Sequence, residues 1–143
     1  MKRHGLLLCL LVLMLQAMAQ KTDFTRLITQ GVTYTGRTLT HADGSVSFDW
    51  IGVYAQTDFT GGTIAVDMSS TRPCYFNVFI DGKWTQKIFA DSLSHQRIVL
   101  AEKLGKGTHR LRLQRACEGN GITTIHGFYG AKGARLKAVE RKS

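Results

Sequence analysis

The chain has 143 residues, with 19 basic and 10 acidic side chains and a formal net charge of +9. Hydrophobic residues make up 43%, enough for one packed domain and too many for a disordered chain. One proline against 15 glycines excludes a collagen-like or proline-rich fibre. Whether the charge marks a nucleic-acid binder depends on where it lies.

Lys2 and Arg3 precede an apolar run from Leu6 to Leu15, and Ala17-Met18-Ala19 follows it. A basic start, a short apolar stretch and small residues around a cleavage point form the pattern of an export leader, here residues 1–19. The run is about half of the roughly 20 residues a spanning helix needs. A cleaved signal peptide is therefore expected, with an uncleaved anchor as the alternative. Cys9 lies inside the apolar run, which argues against a lipid-modified cysteine. The expected location is periplasmic or extracellular.

The charge then divides. Lys2 and Arg3 leave with the leader, and residues 132–143 hold five basic side chains against Glu140. Residues 20–131 keep 12 basic and 9 acidic groups, net +3, which is ordinary for an exported domain. No nucleic-acid partner is expected, and no membrane contact once the leader is removed.

Strand-period alternation dominates the rest. Val46, Phe48 and Trp50 alternate with Ser45, Ser47 and Asp49, which places Trp50 in the core. Ile64, Val66 and Met68 alternate with Thr63, Ala65 and Asp67. The run 74–80 is apolar on nearly both faces, as expected of a centrally placed strand. Residues 84–90 and 96–100 are further strands, although 93–104 also reads as a short helix. Leu111 and Leu113 alternate with Arg110, Arg112 and Gln114, and residues 122–129 form a last strand. Asp43-Gly44 and Asp81-Gly82 are hairpin signals because both residue types tolerate positive φ. Gly61-Gly62, Gly105-Lys106-Gly107 and Glu118-Gly119-Asn120-Gly121 mark other reversals. Eight or nine short strands without intervening helices predict an all-β fold, an antiparallel β-sandwich of jelly-roll type.

The chain also resembles a family. Gly36-Arg37 stands before a hairpin, followed by Val46-Ser47-Phe48-Asp49-Trp50-Ile51-Gly52 and Phe59-Thr60-Gly61. Ile80-Asp81-Gly82 comes next, then the run from Gly107 to Arg115, then Gly127-Phe128-Tyr129-Gly130. This order is similar to the N-terminal jelly-roll domain of bacterial carbohydrate esterases of family 2, which are acetyl-xylan-type enzymes. In that family an SGNH-type hydrolase domain follows and holds the catalytic serine and histidine, opened by a Gly-Asp-Ser block. Ser143 falls about where such a domain would start, so those catalytic residues have no positions here.

The resemblance therefore implies a non-catalytic accessory domain over 20–131, with 132–143 a basic tail that docks only on a following hydrolase domain. A free-standing carbohydrate-binding module and a fragment of a complete polysaccharide deacetylase are the alternatives. Plant cell-wall polysaccharide is the implied ligand, and no cofactor is implied.

The residues themselves agree. No Gly-x-Ser-x-Gly elbow occurs. Ala90-Asp91-Ser92 is the nearest to a nucleophile block, with His95 close by; a solvated polar loop is the plainer reading. His109 and His126 share parity with apolar neighbours and read as inward, neutral imidazoles satisfied by carbonyls. No metal-ligand spacing appears. Cys74 and Cys117 form a candidate disulfide, the alternative being two small buried residues. Aromatic faces stack on the apolar C–H faces of sugars. The carbohydrate-contact candidates are Trp84, Tyr54 and Tyr129, with Tyr75 and Phe79 behind them; core or inter-domain packing is the plainer reading for each. Arg110, Arg112 and Arg115 read as a basic row along one strand, either a solvated face or a contact for acidic glycans.

Overall fold

The computed structural model describes residues 23–119 and 121–140; the expected leader lies outside them. The strands are β1 (Thr25–Arg26), β2 (Thr33–Thr35), β3 (Leu39–Thr40), β4 (Val46–Phe48), β5 (Tyr54–Phe59), β6 (Ile64–Ser70) and β7 (Cys74–Ile80). They continue as β8 (Lys83–Ala90), β9 (Gln96–Ala101), β10 (His109–Arg115), β11 (Thr123–Gly130) and β12 (Leu136–Lys137). A short 3-10 turn at Thr29–Gly31 is the one helical element among the described residues.

Two sheets face each other. The first runs β3-β4-β11-β6-β9 with β1 added on β11, and the second runs β12-β5-β10-β7-β8 with β2 added on β5. Every pairing is antiparallel. From β4 onward the chain changes sheet at each connection except β7–β8, as a jelly-roll sandwich requires. The β7–β8 hairpin closes on Asp81 and Gly82 with φ of 52° and 82°. Two consecutive positive φ values match the right-handed strand twist, which is why an Asp-Gly pair sits there.

The core lies between the sheets. Phe48, Phe59, Ile64, Val66, Met68, Phe76, Val78, Leu111, Leu113, Ile125 and Phe128 are buried in it. Several expectations need correction. β4 ends at Phe48, and the chain turns through Gly52 at φ 86°. Trp50 thereby leaves the strand parity and is 66% exposed rather than core. β7 is flanked by β10 and β8, but its outward residues are not covered. Tyr75 is 50% exposed, so the two-sided apolar run reflects an exposed aromatic face. Arg115 shares the inward parity of Leu111 and Leu113 and is 2% exposed, so the basic row keeps only Arg110 and Arg112.

The tail is corrected too. Leu136 and Lys137 pair with Phe59 and Asp58 of β5, and Leu136 packs on the core. The approach is close: a Cβ on Gly31 would meet the Leu136 carbonyl oxygen. Thr57 Oγ1 donates to the Gly31 carbonyl at 2.9 Å. The segment thus docks on this sandwich itself.

Cys74 and Cys117 are bonded, with their Cα atoms 5.4 Å apart. The bridge ties the start of β7 to the loop after β10. Beside it, Arg115 Nε donates to both sulfurs at 3.3 Å, and its Nη2 donates to the Gly121 carbonyl at 2.8 Å.

Candidate functional site

The outer face of the second sheet gathers most of the aromatic candidates. Arg112 of β10 stands opposite Phe79 of β7, and Phe79 stands opposite Trp84 of β8. The next row holds Gln114, Asn77 and Lys87, and beyond it Tyr75 faces Phe89 with ring centroids 4.8 Å apart. Side chains on one sheet face are spaced by the strand separation and point the same way, so these residues form a shallow platform. Trp84 is 57% exposed, and its Nε1 donates to Asn77 Oδ1 at 3.1 Å. That bond holds the indole in place while leaving its surface open. Tyr54 of β5 joins them beneath Arg112, whose guanidinium carbon lies 3.9 Å from its ring centroid.

Tyr129 does not belong to this group. It lies on the first sheet, and the guanidinium of Arg97 covers its ring at 3.9 Å. Lys87, Asn77 and Phe89 belong to the platform and escaped the sequence reading. Phe89 alternates with the buried Ile88 and Ala90, a parity signal that could have found it. A second group of exposed apolar residues, Leu39, Trp50, Ile51 and Ile122, surrounds shallow clefts at one end of the sandwich with Asp49 and Glu118.

The outer face of the first sheet is polar and rich in histidine. A β-bulge between Ile125 and Gly127 shifts the parity of β11. Thr123 and Ile125 point inward before it and Phe128 after it, so His126 faces outward rather than into the core. Its ring stacks on His95 at 3.6 Å, and its Nε2 lies 2.8 Å from Ser69 Oγ. Burial, and next His95, hold His126 below the ordinary imidazole value. A hydroxyl beside an imidazole nitrogen is half of a nucleophile–base pair. The orienting carboxylate goes elsewhere: Asp67 Oδ2 contacts His95 Nδ1 at 3.1 Å. The Ser92 block is likewise dispersed. Ser92 Oγ accepts from the Ser94 amide, and Asp91 binds Gln96. Among the described residues no three His, Cys, Asp or Glu side chains converge on a metal-sized site.

His109 is also corrected. The expected carbonyl partner is there, Gly105 at 2.7 Å from its Nε2, but its Nδ1 also lies 2.7 Å from Asp81 Oδ2, a carboxylate that the strand pattern does not show. Two acceptors favour the doubly protonated ring, so Asp81 first and Gly105 second raise its pKa. The bond from His109 and the Arg110 amide lower that of Asp81. A raised histidine stabilises the fold fully below about pH 6.5 and loses that contribution as pH climbs through its folded value. A lowered aspartate contributes above about pH 4 and loses it as pH falls through its folded value. The pair is thus strongest between these limits. His109→Gln is expected to remove part of the decline in urea midpoint between pH 5.5 and 8.5; an unchanged decline would refute the assignment. Asp81 is half exposed, so solvent screening keeps the effect small.

The family model described as "Carbohydrate esterase 2 N-terminal" matches residues 34–139. No curated protein sequence matches the chain. A family two carbohydrate esterase from Clostridium thermocellum in complex with cellohexaose superposes with a TM-score of 0.72 at 22% identity, over 78% of this chain and 34% of that one. A family two esterase from Cellvibrio japonicus gives 0.69 at 21% identity, over 84% and 36%. The CBM36-1 domain of a multidomain xylanase from the hindgut metagenome of Trinervitermes trinervoides gives 0.60 at 13% identity, over 83% of this chain and all of that domain. The chain spans about a third of the length of the esterases it matches. With three quarters of its residues under the family model and the same jelly-roll fold, the chain belongs to the carbohydrate esterase 2 N-terminal family.

Proposed function

We propose that this chain is the non-catalytic accessory sandwich of an exported acetyl-xylan-type esterase. In this reading residues 1–19 direct export, the sandwich extends through residue 139, and its partner is an SGNH hydrolase domain C-terminal to it. The observation that carries the reading is the family match over 34–139 in a chain that covers about a third of the matched esterases. Ser69 meets His126 but Asp67 turns to His95 instead, and Ser92 and Asp91 are bound within their own loop; this favours a non-catalytic role for this portion, since acyl transfer needs a nucleophile, base and orienter in line. The purified chain should release p-nitrophenol from p-nitrophenyl acetate at the buffer rate. A rate above buffer that disappears in Ser69→Ala or Ser92→Ala would overturn the reading.

A second reading, a carbohydrate-binding module, is favoured by one observation: the open aromatic platform of Tyr75, Phe79, Trp84 and Phe89. A flat row of rings fits a polysaccharide better than it fits a small-molecule pocket.

A further inference from the structure

We propose that the platform on the second sheet binds an anionic polysaccharide, one whose sugar units carry carboxylates; this rests on the second reading above and names its ligand. Asp58 is the acidic side chain on the outward rows of β5, β7, β8 and β10, and Arg110 takes it in two bonds of 2.8 and 3.2 Å. The remaining cations have no such partner. Arg112 rests on Tyr54 at 3.9 Å and lies 5.7 Å from Phe79, and its Nε is buried without a hydrogen-bond partner. Lys87 Nζ lies 5.5 Å over the Tyr75 ring. Neither makes an ion pair among the described residues.

Each cation is thus parked on an aromatic face, within a surface that also exposes Trp84 and Phe89. A solvated basic row needs no aromatic floor. A ligand with apolar faces and carboxylate edges uses both parts: its rings stack on Phe79 and Trp84, and its carboxylates meet the guanidinium. A planar guanidinium held flat presents paired N–H groups that match a carboxylate. Arg112 and Lys87 sit two strands apart, about 10 Å, so one short ligand cannot satisfy both and an extended chain of sugars can. Gln114 and Asn77 between them supply amide groups for the hydroxyls.

The test is titration calorimetry of the purified chain with hexagalacturonate, its methyl-esterified form and xylohexaose. The chain is basic overall, so charge attraction alone must be separated from the platform. Hexagalacturonate is expected to bind at least about tenfold more tightly than the two neutral oligomers, the worth of one charge-assisted contact. Arg112→Gln and Trp84→Ala should each weaken it about tenfold or more, while Lys106→Gln, on the turn before β10 and outside the platform rows, should leave it unchanged. Circular dichroism melts of each variant establish that it is folded. Equal affinity for acidic and neutral oligomers, lost in Trp84→Ala, would overturn the anionic preference and leave the glycan-binding reading standing. Equal weakening by Lys106→Gln would reduce the binding to net charge and overturn the site. Binding of none of the three would remove the site and the second reading together, leaving the accessory reading untouched.

Discussion

The Cys74→Ala/Cys117→Ala chain is expected to unfold about 4 kcal/mol more easily than the bridged protein. The two cysteines are 43 residues apart, and closing a loop of that length removes conformational entropy and raises the free energy of the unfolded ensemble by about that much. The bridge spans β7, β8, β9 and β10, so the unfolded chain without it regains freedom over a third of the sandwich. The melting temperature should fall by more than roughly 10 °C. Reduction of the native protein should give a similar loss, because the constraint acts on the unfolded chain rather than through a packing contact. A variant that melts within about 2 °C of the native protein would show that the bridge adds no net constraint.

Arg115→Ala should be nearly as damaging, with an expected loss of about 3 kcal/mol. Two effects oppose each other. Burial pulls the guanidinium below its ordinary pKa, partly offset by Asp49, so holding the charge inside is costly. Against that, Arg115 donates to the carbonyls of Gly121 at 2.8 Å and Phe48 at 3.4 Å and to the two bridged sulfurs. Removing it leaves those carbonyls unpaired and opens a cavity among side chains that cannot close over it. The second effect wins for alanine. Arg115→Met keeps most of the volume and removes the charge, so it should cost only about 1–2 kcal/mol. Urea midpoints of the two variants separate the contributions. Equal losses would mean that the hydrogen bonds, not the filled volume, carry the effect.

Both predictions concern the end of the sandwich where the loops after β4 and β10 meet. Gly52 donates its amide to the Arg115 carbonyl, and Arg115 donates its own to the Val53 carbonyl. The exposed Trp50 and Ile51 sit on a loop pinned at that point. Loss of Arg115 should therefore loosen this end first, together with the adjoining Tyr75 edge of the second sheet, and the Asp81-Gly82 hairpin at the opposite end last.

The strands with strong local signals were legible. β6, β8, β9, β10 and β11 alternate or carry β-branched and aromatic residues, and Asp81-Gly82 announces its hairpin by residue type alone. β5 was not legible, although it forms pairs with β10, β2 and β12. Its inward residues are Ala55, Thr57 and Phe59, and a small and a hydroxyl side chain blur an apolar period. Thr57 is inward because its hydroxyl satisfies the Gly31 carbonyl, a partner 26 residues away. The bulge in β11 reversed the expected orientation of His126 for a similar reason: an added residue changes parity without changing composition.

The candidate site divides along the same line. Tyr54, Tyr75, Phe79 and Tyr129 were recognisable as aromatics off the buried parity, because parity is a local property of each strand; Trp84 stood out only by its place after the Asp81-Gly82 turn, since it shares the parity of the buried Ile88 and Ala90 and a bulge turns it outward. That the first three share one face with Trp84, while Tyr129 lies on the other beneath Arg97, follows from strand order. β5, β10, β7 and β8 become neighbours only through pairings between distant segments.

The sequence by itself determined the fold class, the hairpin at Asp81-Gly82 and the family, since strand period, turn chemistry and the order of motifs are written locally. Tertiary structure decided which aromatic residues remain exposed, which cations lack a carboxylate and whether two cysteines meet. Exposure and pairing depend on what the rest of the chain packs against each residue, and no local pattern encodes that.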